Sequence, residues 1–232
     1  ASNAGRIQWS EPLQRIYWSE TKADKRWNLE TESRIRYIGK DGKGNIRSPG
    51  LPHNPSPDSS EGMVAAVRYT IGGRTVLEIM DGSSGEKKAS FNAPDSLQLV
   101  EAAWIGDIIY ATAISENGYG IYSIASSGGP WKKVLSPQPV MIKDFGTWEN
   151  ELIFTCDRTG VNELYHLDPS DCRLVQKTST RYGASDFRYS EDGEWLYYSS
   201  QTMNGMRIFR THRDSLMDST ADFTERHLYP IA

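Results

Sequence analysis

The sequence has few cysteines, few histidines and no long apolar run, and each shortage excludes a class of protein. Two cysteines in 232 residues cannot build a disulfide framework. The four histidines stand singly, without the paired spacings of first-row metal sites. No stretch approaches the roughly 20 apolar residues of a membrane-spanning helix. We therefore expect no metal, no cofactor and no membrane span in this chain.

The charge balance and the missing motifs exclude further classes. A formal net charge of -4 argues against a nucleic-acid surface, which needs a basic excess to neutralise phosphates. The chain has no Gly-x-Ser-x-Gly elbow and no glycine-rich phosphate loop that opens a helix. A content of 38% hydrophobic and 24% charged residues is typical of a folded globular domain. We expect no nucleic-acid partner, and we predict no catalytic residue.

The beginning of the sequence resembles an expression remnant. Ser2-Asn3-Ala4 has the composition of a tag scar, and no basic start or apolar core of a signal peptide follows it. We interpret residues 1–5 as tag remnant and leader, and the chain as an excerpt of a longer protein. Cys156 falls in a predicted strand and Cys172 in a turn, so we expect two separate free thiols.

Short alternating runs bounded by turn residues dominate the chain, which is typical of an all-β protein. The stretch 187–200 shows the unit most clearly: a strand, an Asp-Gly turn and an aromatic-rich strand. Related turns recur every 42 to 49 residues or so, and they are anchored by Asp58, Asp107, Asn150 and Asp192. A period in the forties with several strands per unit predicts a β-propeller of four-stranded antiparallel blades.

Five such units can be read along the chain. A four-stranded blade cannot bury both of its faces alone, so blades must stack side by side. We predict a single β-propeller domain over residues 6–232, and we expect most of its strand tryptophans (Trp9, Trp18, Trp104, Trp148 and Trp195) in the layers between blades. The predicted blades span residues 6–50, 51–95, 96–137, 138–180 and 181–231, with 225–229 as the last outer strand.

Two motifs resemble the repeat of TolB-like, or WD40-like, propellers. Pro55-Ser56-Pro57-Asp58 and Tyr189-Ser190-Glu191-Asp192-Gly193 are similar to the Ser-Pro-Asp-Gly turn of that family, although Glu191 replaces the usual Pro. Residues 154–165 are similar to its Asp-x-x-Gly repeat segment. The resemblance implies a periplasmic or cell-surface location. Known members usually close with six blades. The resemblance therefore leaves two possibilities open: a propeller of five blades, or five blades of a six-bladed propeller whose remaining blade lies outside this sequence.

Three acidic residues share one position in the repeat. Glu101, Asp144 and Asp186 each precede a turn anchor by six residues. In a propeller this position lies near the central channel, so these carboxylates could focus a negative potential at one channel mouth. Three acids alone do not supply the roughly six oxygens that a hard cation needs. The alternative is that each carboxylate accepts a hydrogen bond from a backbone N–H of a neighbouring blade or pairs with an arginine.

Two loops carry residue types that dominate interface energetics. One is a polar insertion with Arg26 and Trp27, and the other contains Trp131 beside Gly128-Gly129-Pro130. We predict these three side chains as candidates for contact with a partner. The alternative is that each loop folds back over its own blade.

The sequence favours a binding function over an enzymatic one. We expect a non-catalytic binding or scaffold propeller of a bacterial cell-envelope protein, with a protein or peptide partner. One alternative is an accessory gate domain of a larger prolyl-oligopeptidase-like hydrolase, which would carry a Gly-x-Ser-x-Gly elbow elsewhere in the full protein. Another is a carbohydrate-active propeller that uses the three predicted acids.

Overall fold

Nearly every element of the chain is a β-strand. A computed structural model describes residues 2–23, 31–46, 51–58, 60–70 and 72–221. In this part the chain forms 21 strands and one short 3-10 helix, Arg213–Ser215. No helix among the described residues is long and apolar enough to cross a membrane. The predicted outer strand 225–229, together with Arg26 and Trp27, lies outside the described residues.

The strands form two compact units, and the first contains residues 1–116 and 120–134. Its first sheet has the order β1-β3-β4-β5, with β2 also paired to β3. Its second sheet has the order β6-β7-β8-β9. The strands of these sheets are β1 Ser2–Ala4, β2 Gln8–Ser10, β3 Arg15–Ala23, β4 Thr31–Gly39, β5 Gly42–Ile46, β6 Leu51–Pro57, β7 Met63–Tyr69, β8 Thr75–Asp81 and β9 Lys87–Asn92.

The second unit contains residues 117–119 and 135–232. The third sheet has the order β10-β11-β12-β13, the fourth β14-β15-β16-β17-β21, and the fifth β18-β19-β20. Their strands are β10 Gln98–Ile105, β11 Ile108–Ser115, β12 Gly118–Ala125, β13 Lys132–Gln138, β14 Ile142–Trp148, β15 Glu151–Cys156, β16 Glu163–Asp168, β17 Arg173–Gln176, β18 Ala184–Tyr189, β19 Trp195–Thr202, β20 Gly205–His212 and β21 Ser219–Thr220.

The sheets confirm the predicted fold class, an all-β propeller built from five antiparallel blades. Two details differ from the sequence analysis. Ser2–Ala4, assigned above to a leader, form β1 and pair with β3 in the first blade. The fifth blade has three described strands, and in the predicted insertion after β20 the chain returns to the fourth blade, where β21 pairs with β17. The outer strand 225–229 stays a prediction. The single-domain organisation stays a prediction.

The turn anchors work through side-chain hydrogen bonds to the backbone. The buried carboxylate of Asp58 accepts hydrogen bonds from the backbone N–H groups of Glu61, Gly62 and Met63, with N···O distances of 3.1, 2.8 and 3.0 Å. Three N–H groups that have no strand partner are satisfied at once, so the turn closes where β7 begins. Asp192 acts more weakly, accepting from the Glu194 N–H at 3.0 Å and from the Ser190 hydroxyl.

Alternating residues of adjacent blades form the core within each unit. In the first unit, Tyr17 and Ile35 of the first blade pack against Val64 and Met80 of the second. The second and third blades share a cluster around Leu77 and Ile109. The fourth and fifth blades share one in the second unit, formed by Ile153, Leu164, Ala184, Phe187 and Leu196. Blade-on-blade packing thus supplies the burial that a single four-stranded sheet lacks.

Two further expectations can be compared with side-chain positions. Cys156 is buried and Cys172 is exposed, and neither of these two described residues takes part in a disulfide bond. Four of the five strand tryptophans are half-buried, but Trp9 is 49% exposed and does not belong to the core. Its strand β2 lies at the edge of the first sheet and, among the described strands, pairs only with β3.

Candidate functional site

The predicted acids lie in a β-bulge that recurs on the first strand of four blades. In β14, Lys143 pairs with Thr155 and Gly146 pairs with Ile153, so Asp144 and Phe145 together oppose one residue of β15. The same two-against-one arrangement occurs in the other blades. The bulge residues are Asn54-Pro55, Val100-Glu101, Asp144-Phe145 and Asp186-Phe187.

The first bulge residue has a left-handed backbone conformation in three of these four blades. Asn54, Asp144 and Asp186 have φ values of 50°, 52° and 56°. Asn and Asp tolerate this region better than other non-glycine residues, because their short polar side chains can hydrogen-bond locally. The acidic and amide residues at this position are therefore suited to the backbone that the bulge requires.

The same residues link one bulge to the next within each unit. In the first unit, the Asn54 side-chain amide donates to the Val100 carbonyl at 3.1 Å. In the second unit, the Asp186 backbone N–H donates to the Asp144 carboxylate at 3.3 Å, and the Thr155 hydroxyl donates to the same oxygen at 3.2 Å. The structure therefore brings Asp144 and Asp186 together, through the kind of inter-blade backbone hydrogen bond named above as the alternative to a channel site.

Glu101 does not occupy the position that counting from the turn anchor assigns to it. The bulge in β10 lies one residue further from its turn than the bulge in β14, so Val100 is the counterpart of Asp144. Glu101 corresponds instead to Phe145. It is half-buried in the first unit, where its backbone N–H donates to the Thr112 hydroxyl at 3.1 Å. A one-residue displacement of a bulge cannot be read from turn spacing.

Trp131 lies against its own unit. Its indole N–H donates to the Asn92 carbonyl of the second blade at 2.9 Å, and its half-buried ring packs on the core cluster between the second and third blades. Arg26 and Trp27 cannot be placed, since they lie outside the described residues. A role for these three side chains in partner contact stays a prediction.

A buried polar cluster joins the fourth and fifth blades in the second unit. The His166 ring contacts the Glu151 carboxylate through Nδ1 at 2.6 Å and the Tyr189 hydroxyl through Nε2 at 2.9 Å. Tyr189 stacks on Trp148, with ring centroids 4.6 Å apart. Burial lowers the pKa of His166, opposed by its hydrogen bond to Glu151. Because both ring nitrogens are engaged in the core, this cluster is suited to joining two blades.

The fifth blade carries an exposed apolar surface that the sequence analysis missed. Ile208 is 79% exposed and Met206 56%, and both lie on β20. Cross-strand pairing places them on the same face as Tyr197, which is 38% exposed. The opposite face packs on the fourth blade through stacked Phe187, Tyr198 and Phe209. Alternation along β20 could have revealed two faces, but not which one lacks a neighbour.

The first blade has a comparable surface, which we call the Trp9 surface and define as Trp9, Ile16 and Ile38. These residues are neighbours across β2, β3 and β4 on one face. Trp9 and Ile38 are 49% and 46% exposed, and Ile16 is half-buried. The Trp9 indole N–H donates to the Glu11 carboxylate at 2.6 Å, which holds the ring over the strand. The opposite face, through Tyr17, packs on the second blade.

Among the described residues, no group of three or more His, Cys, Asp or Glu side chains is placed to hold a metal ion. Asp144 and Asp186 form a pair without a third acid of this kind.

Sheet order, hairpin connections and blade packing define a β-propeller. Its fold is TolB-like: a protein from Agrobacterium tumefaciens designated as TolB superposes with a TM-score of 0.72 at 12% identity, over 94% of this chain and 80% of that one. TolB from Acinetobacter baumannii gives a TM-score of 0.65 at 13% identity, over 94% and 68% of the two chains. The resemblance inferred from the turn motifs is thereby confirmed at the level of fold.

Propellers of peptidases are similar as well. A puromycin-hydrolyzing peptidase of Mycobacterium tuberculosis gives a TM-score of 0.67 at 11% identity. The match covers all of this chain but only 39% of the peptidase. No family model matches the sequence, and no curated protein matches it either.

Proposed function

We propose that this chain is a non-catalytic binding or scaffold propeller of a bacterial cell-envelope protein, with a protein or peptide partner. The observation that carries the proposal is the Trp9 surface. Exposed Trp and Ile side chains on one rigid sheet face combine a large apolar area with low conformational freedom, which is what interface anchors require. The TolB-like fold supports an envelope role by resemblance.

The contacts of the polar groups agree with a binding role. The Asp144 carboxylate accepts hydrogen bonds from a hydroxyl and from a backbone N–H of the next blade, and both nitrogens of His166 are bonded inside the core. These groups stabilise the propeller, while the apolar sheet face remains open to solvent. Recognition through that face needs no proton transfer and no nucleophile.

Photo-crosslinking in cells tests the proposal. The photoreactive residue p-benzoylphenylalanine replaces Ile38 in the full-length protein, and a matched variant carries it at Lys88 on β9 of the second blade. We expect a discrete protein adduct from position 38 that weakens when Trp9→Ala is added, and little adduct from position 88. Equal adducts from both positions, or none from position 38, would contradict the proposal.

The accessory-gate alternative is favoured by one observation, the match of the whole chain to 39% of the length of a peptidase. It predicts a hydrolase domain in the same polypeptide. Reading the full-length sequence distinguishes the two functions: a Gly-x-Ser-x-Gly elbow in the flanking sequence supports the gate, whereas flanking sequence without a hydrolase pattern supports the binding module.

A carbohydrate-active propeller would use Asp144 and Asp186, which the second unit brings together. It predicts that Asp144→Asn and Asp186→Asn weaken glycan binding or turnover while folding is retained. Unchanged glycan binding in both variants removes this candidate.

A periplasmic or cell-surface location forms part of the proposal, and Cys172 offers a way to test it. Its thiol is exposed, whereas that of Cys156 is buried. We expect a maleimide that cannot cross the inner membrane to label Cys172 in intact cells with a permeabilised outer membrane. Cys172→Ser removes the label and serves as the control. Labelling only after lysis would contradict an extracytoplasmic location.

A further inference from the structure

The outer edge of β20 is an unpaired strand edge in the described part of the chain. Each of the other four blades continues to a further strand, but the fifth sheet ends at β20. As far as Ala221, the segment that follows does not fill the place. It forms the 3-10 helix Arg213–Ser215 and then pairs with the fourth blade through β21, where Val175 opposes Thr220. Within the part of the chain that the structure describes, the outward N–H and C=O groups of this edge therefore have no strand partner.

The pairing register identifies which groups point outward. β19 and β20 are antiparallel, and just beyond them the Arg213 N–H donates to the Glu194 carbonyl at 2.8 Å. Because hydrogen-bonded and non-hydrogen-bonded pairs alternate in such a ladder, odd-numbered residues of β20 bond to β19. Met206, Ile208 and Arg210 consequently direct their N–H and C=O groups to the open edge.

Side chains along this edge combine apolar area with positive charge. Met206 and Ile208 project from one face, 56% and 79% exposed, while Arg207 projects from the other. Arg210 lies over the Trp195 ring, 4.4 Å from its centroid, so its guanidinium is held near the end of the strand. β19 and β20 contain two arginines and no carboxylate. Because side chains alternate along a strand, Arg210 lies on the same face as Met206 and Ile208, near the end of β20, and Arg207 is the charged side chain of β20 on the other face.

We infer that the β20 edge accepts an extended strand of a partner protein, as a fourth strand of the fifth blade, in which apolar residues alternate with acidic ones. The inference rests on the proposed binding function and specifies a mode of recognition. Main-chain hydrogen bonds to Met206, Ile208 and Arg210 align the strand. Its apolar side chains cover Met206 and Ile208, and its acidic side chains face Arg207. Charge complementarity selects this partner over a basic or neutral strand.

Binding of a short peptide to the whole chain tests the inference. The probe is a fluorescein-labelled peptide as long as β20, eight residues, that alternates valine and glutamate. The control peptide alternates valine and lysine. We expect saturable binding of the glutamate peptide by fluorescence anisotropy, at least about tenfold tighter than the lysine peptide. Hydrogen exchange should slow at the amides of Met206, Ile208 and Arg210, and remain unchanged at Arg207 and Phe209.

Two variants at one position separate edge pairing from folding. Ile208→Pro removes an outward N–H and the apolar side chain but no bond to β19, and edge strands tolerate proline there. We expect it to keep the unfolding midpoint close to that of the parent and to lose peptide affinity by about tenfold or more. Ile208→Val keeps the N–H and most of the apolar area, and should bind nearly as well as the parent.

Three outcomes overturn the inference. The first is equal binding of both peptides, or of the Ile208→Pro and Ile208→Val variants. The second is slow exchange at Met206, Ile208 and Arg210 in the free monomer, which would assign the edge to residues 222–232 of the same chain. The third is a dimer in sedimentation that Ile208→Pro dissociates, which would assign it to a second copy. If photo-crosslinking from position 38 gives its adduct while one of these outcomes is observed, the inference about β20 fails but the proposed binding function is retained.

Discussion

At the scale of single residues, His166 carries the clearest pH dependence. Burial lowers the pKa of its imidazole in the folded chain, and Lys177 and Arg213 add to that effect while Glu151 opposes it. Tyr189 holds the other ring nitrogen. The unfolded chain has no such burial, so it binds a proton at a higher pH than the folded chain does. Stability therefore rises with pH through this window and falls below the unfolded pKa of about 6.5.

We predict that His166→Gln flattens the loss of stability between neutral pH and about pH 5.5, a range that includes the ordinary histidine pKa. The measurement is the free energy of unfolding in urea at several pH values. A parent protein without any slope in this range would contradict the prediction.

Three substitutions at Asp144 distinguish the contribution of backbone strain to stability from that of hydrogen bonding. Asp144→Ala loses the bonds from Thr155 and Asp186 and places alanine at a φ of 52°, so we expect a loss of about 2 kcal/mol. Asp144→Gly loses the same bonds without the conformational penalty and should cost about half as much. Asp144→Asn keeps an acceptor oxygen and should cost least.

Urea unfolding of these three variants gives the order directly. If Asp144→Gly lowers the free energy of unfolding as much as Asp144→Ala does, the left-handed backbone at this bulge stores no strain. An asparagine variant as unstable as alanine would show that the charge, and not the acceptor oxygen, holds the two bulges together.

At the scale of elements, the turns before the second strand of the second and fifth blades differ in how many backbone N–H groups a carboxylate satisfies. The Asp58 carboxylate is buried and satisfies three backbone N–H groups, whereas Asp192 is exposed and satisfies one. We predict that Asp58→Ala costs about 2–3 kcal/mol and Asp192→Ala less than about 1 kcal/mol. Thermal unfolding of both variants measures the difference, and equal losses would contradict it.

Sequence reasoning succeeds for elements whose determinants are local. The Asp192-Gly193 turn and the alternating residues beside it are contained in a dozen positions, so the hairpin can be read from them. The bulges cannot be predicted this way. Whether a strand bulges at Val100-Glu101 or one residue later depends on how its partner strand packs, and that choice moved Glu101 out of register with Asp144.

At the scale of the whole molecule, a repeat fold reveals itself through periodicity, but its exposed surfaces do not. The period in the forties predicts blades, and the blades were found. Sequence alone gives Trp9 and Trp18 the same expectation, because both are strand tryptophans. Trp9 and Trp18 lie on the same face of the first blade, yet Trp9 on the edge strand β2 is 49% exposed while Trp18 on β3, between β2 and β4, is half-buried. Exposure thus depends on the position of a strand within its sheet.

Thiol labelling checks the arrangement of the fourth blade as a whole. Burial raises the pKa of the Cys156 thiol to about 12, and Cys172 is exposed. We predict that a maleimide labels one thiol per native chain and two in urea, as counted by mass spectrometry. Cys172→Ser should abolish labelling of the native protein. Rapid labelling of both thiols without denaturant would contradict the burial of β15.

The return of the chain to the fourth blade has a mechanical consequence. A pull applied beyond Thr220 is transmitted first to β17, through the two rungs Val175–Thr220 and Gln176–Ser219, and reaches β20 only after they part. The ion pair between Lys177 and Asp218, 2.8 Å long, lies beside these rungs and reinforces them. Tension applied beyond Thr220 would therefore separate β21 from β17 before it disturbs the fifth blade.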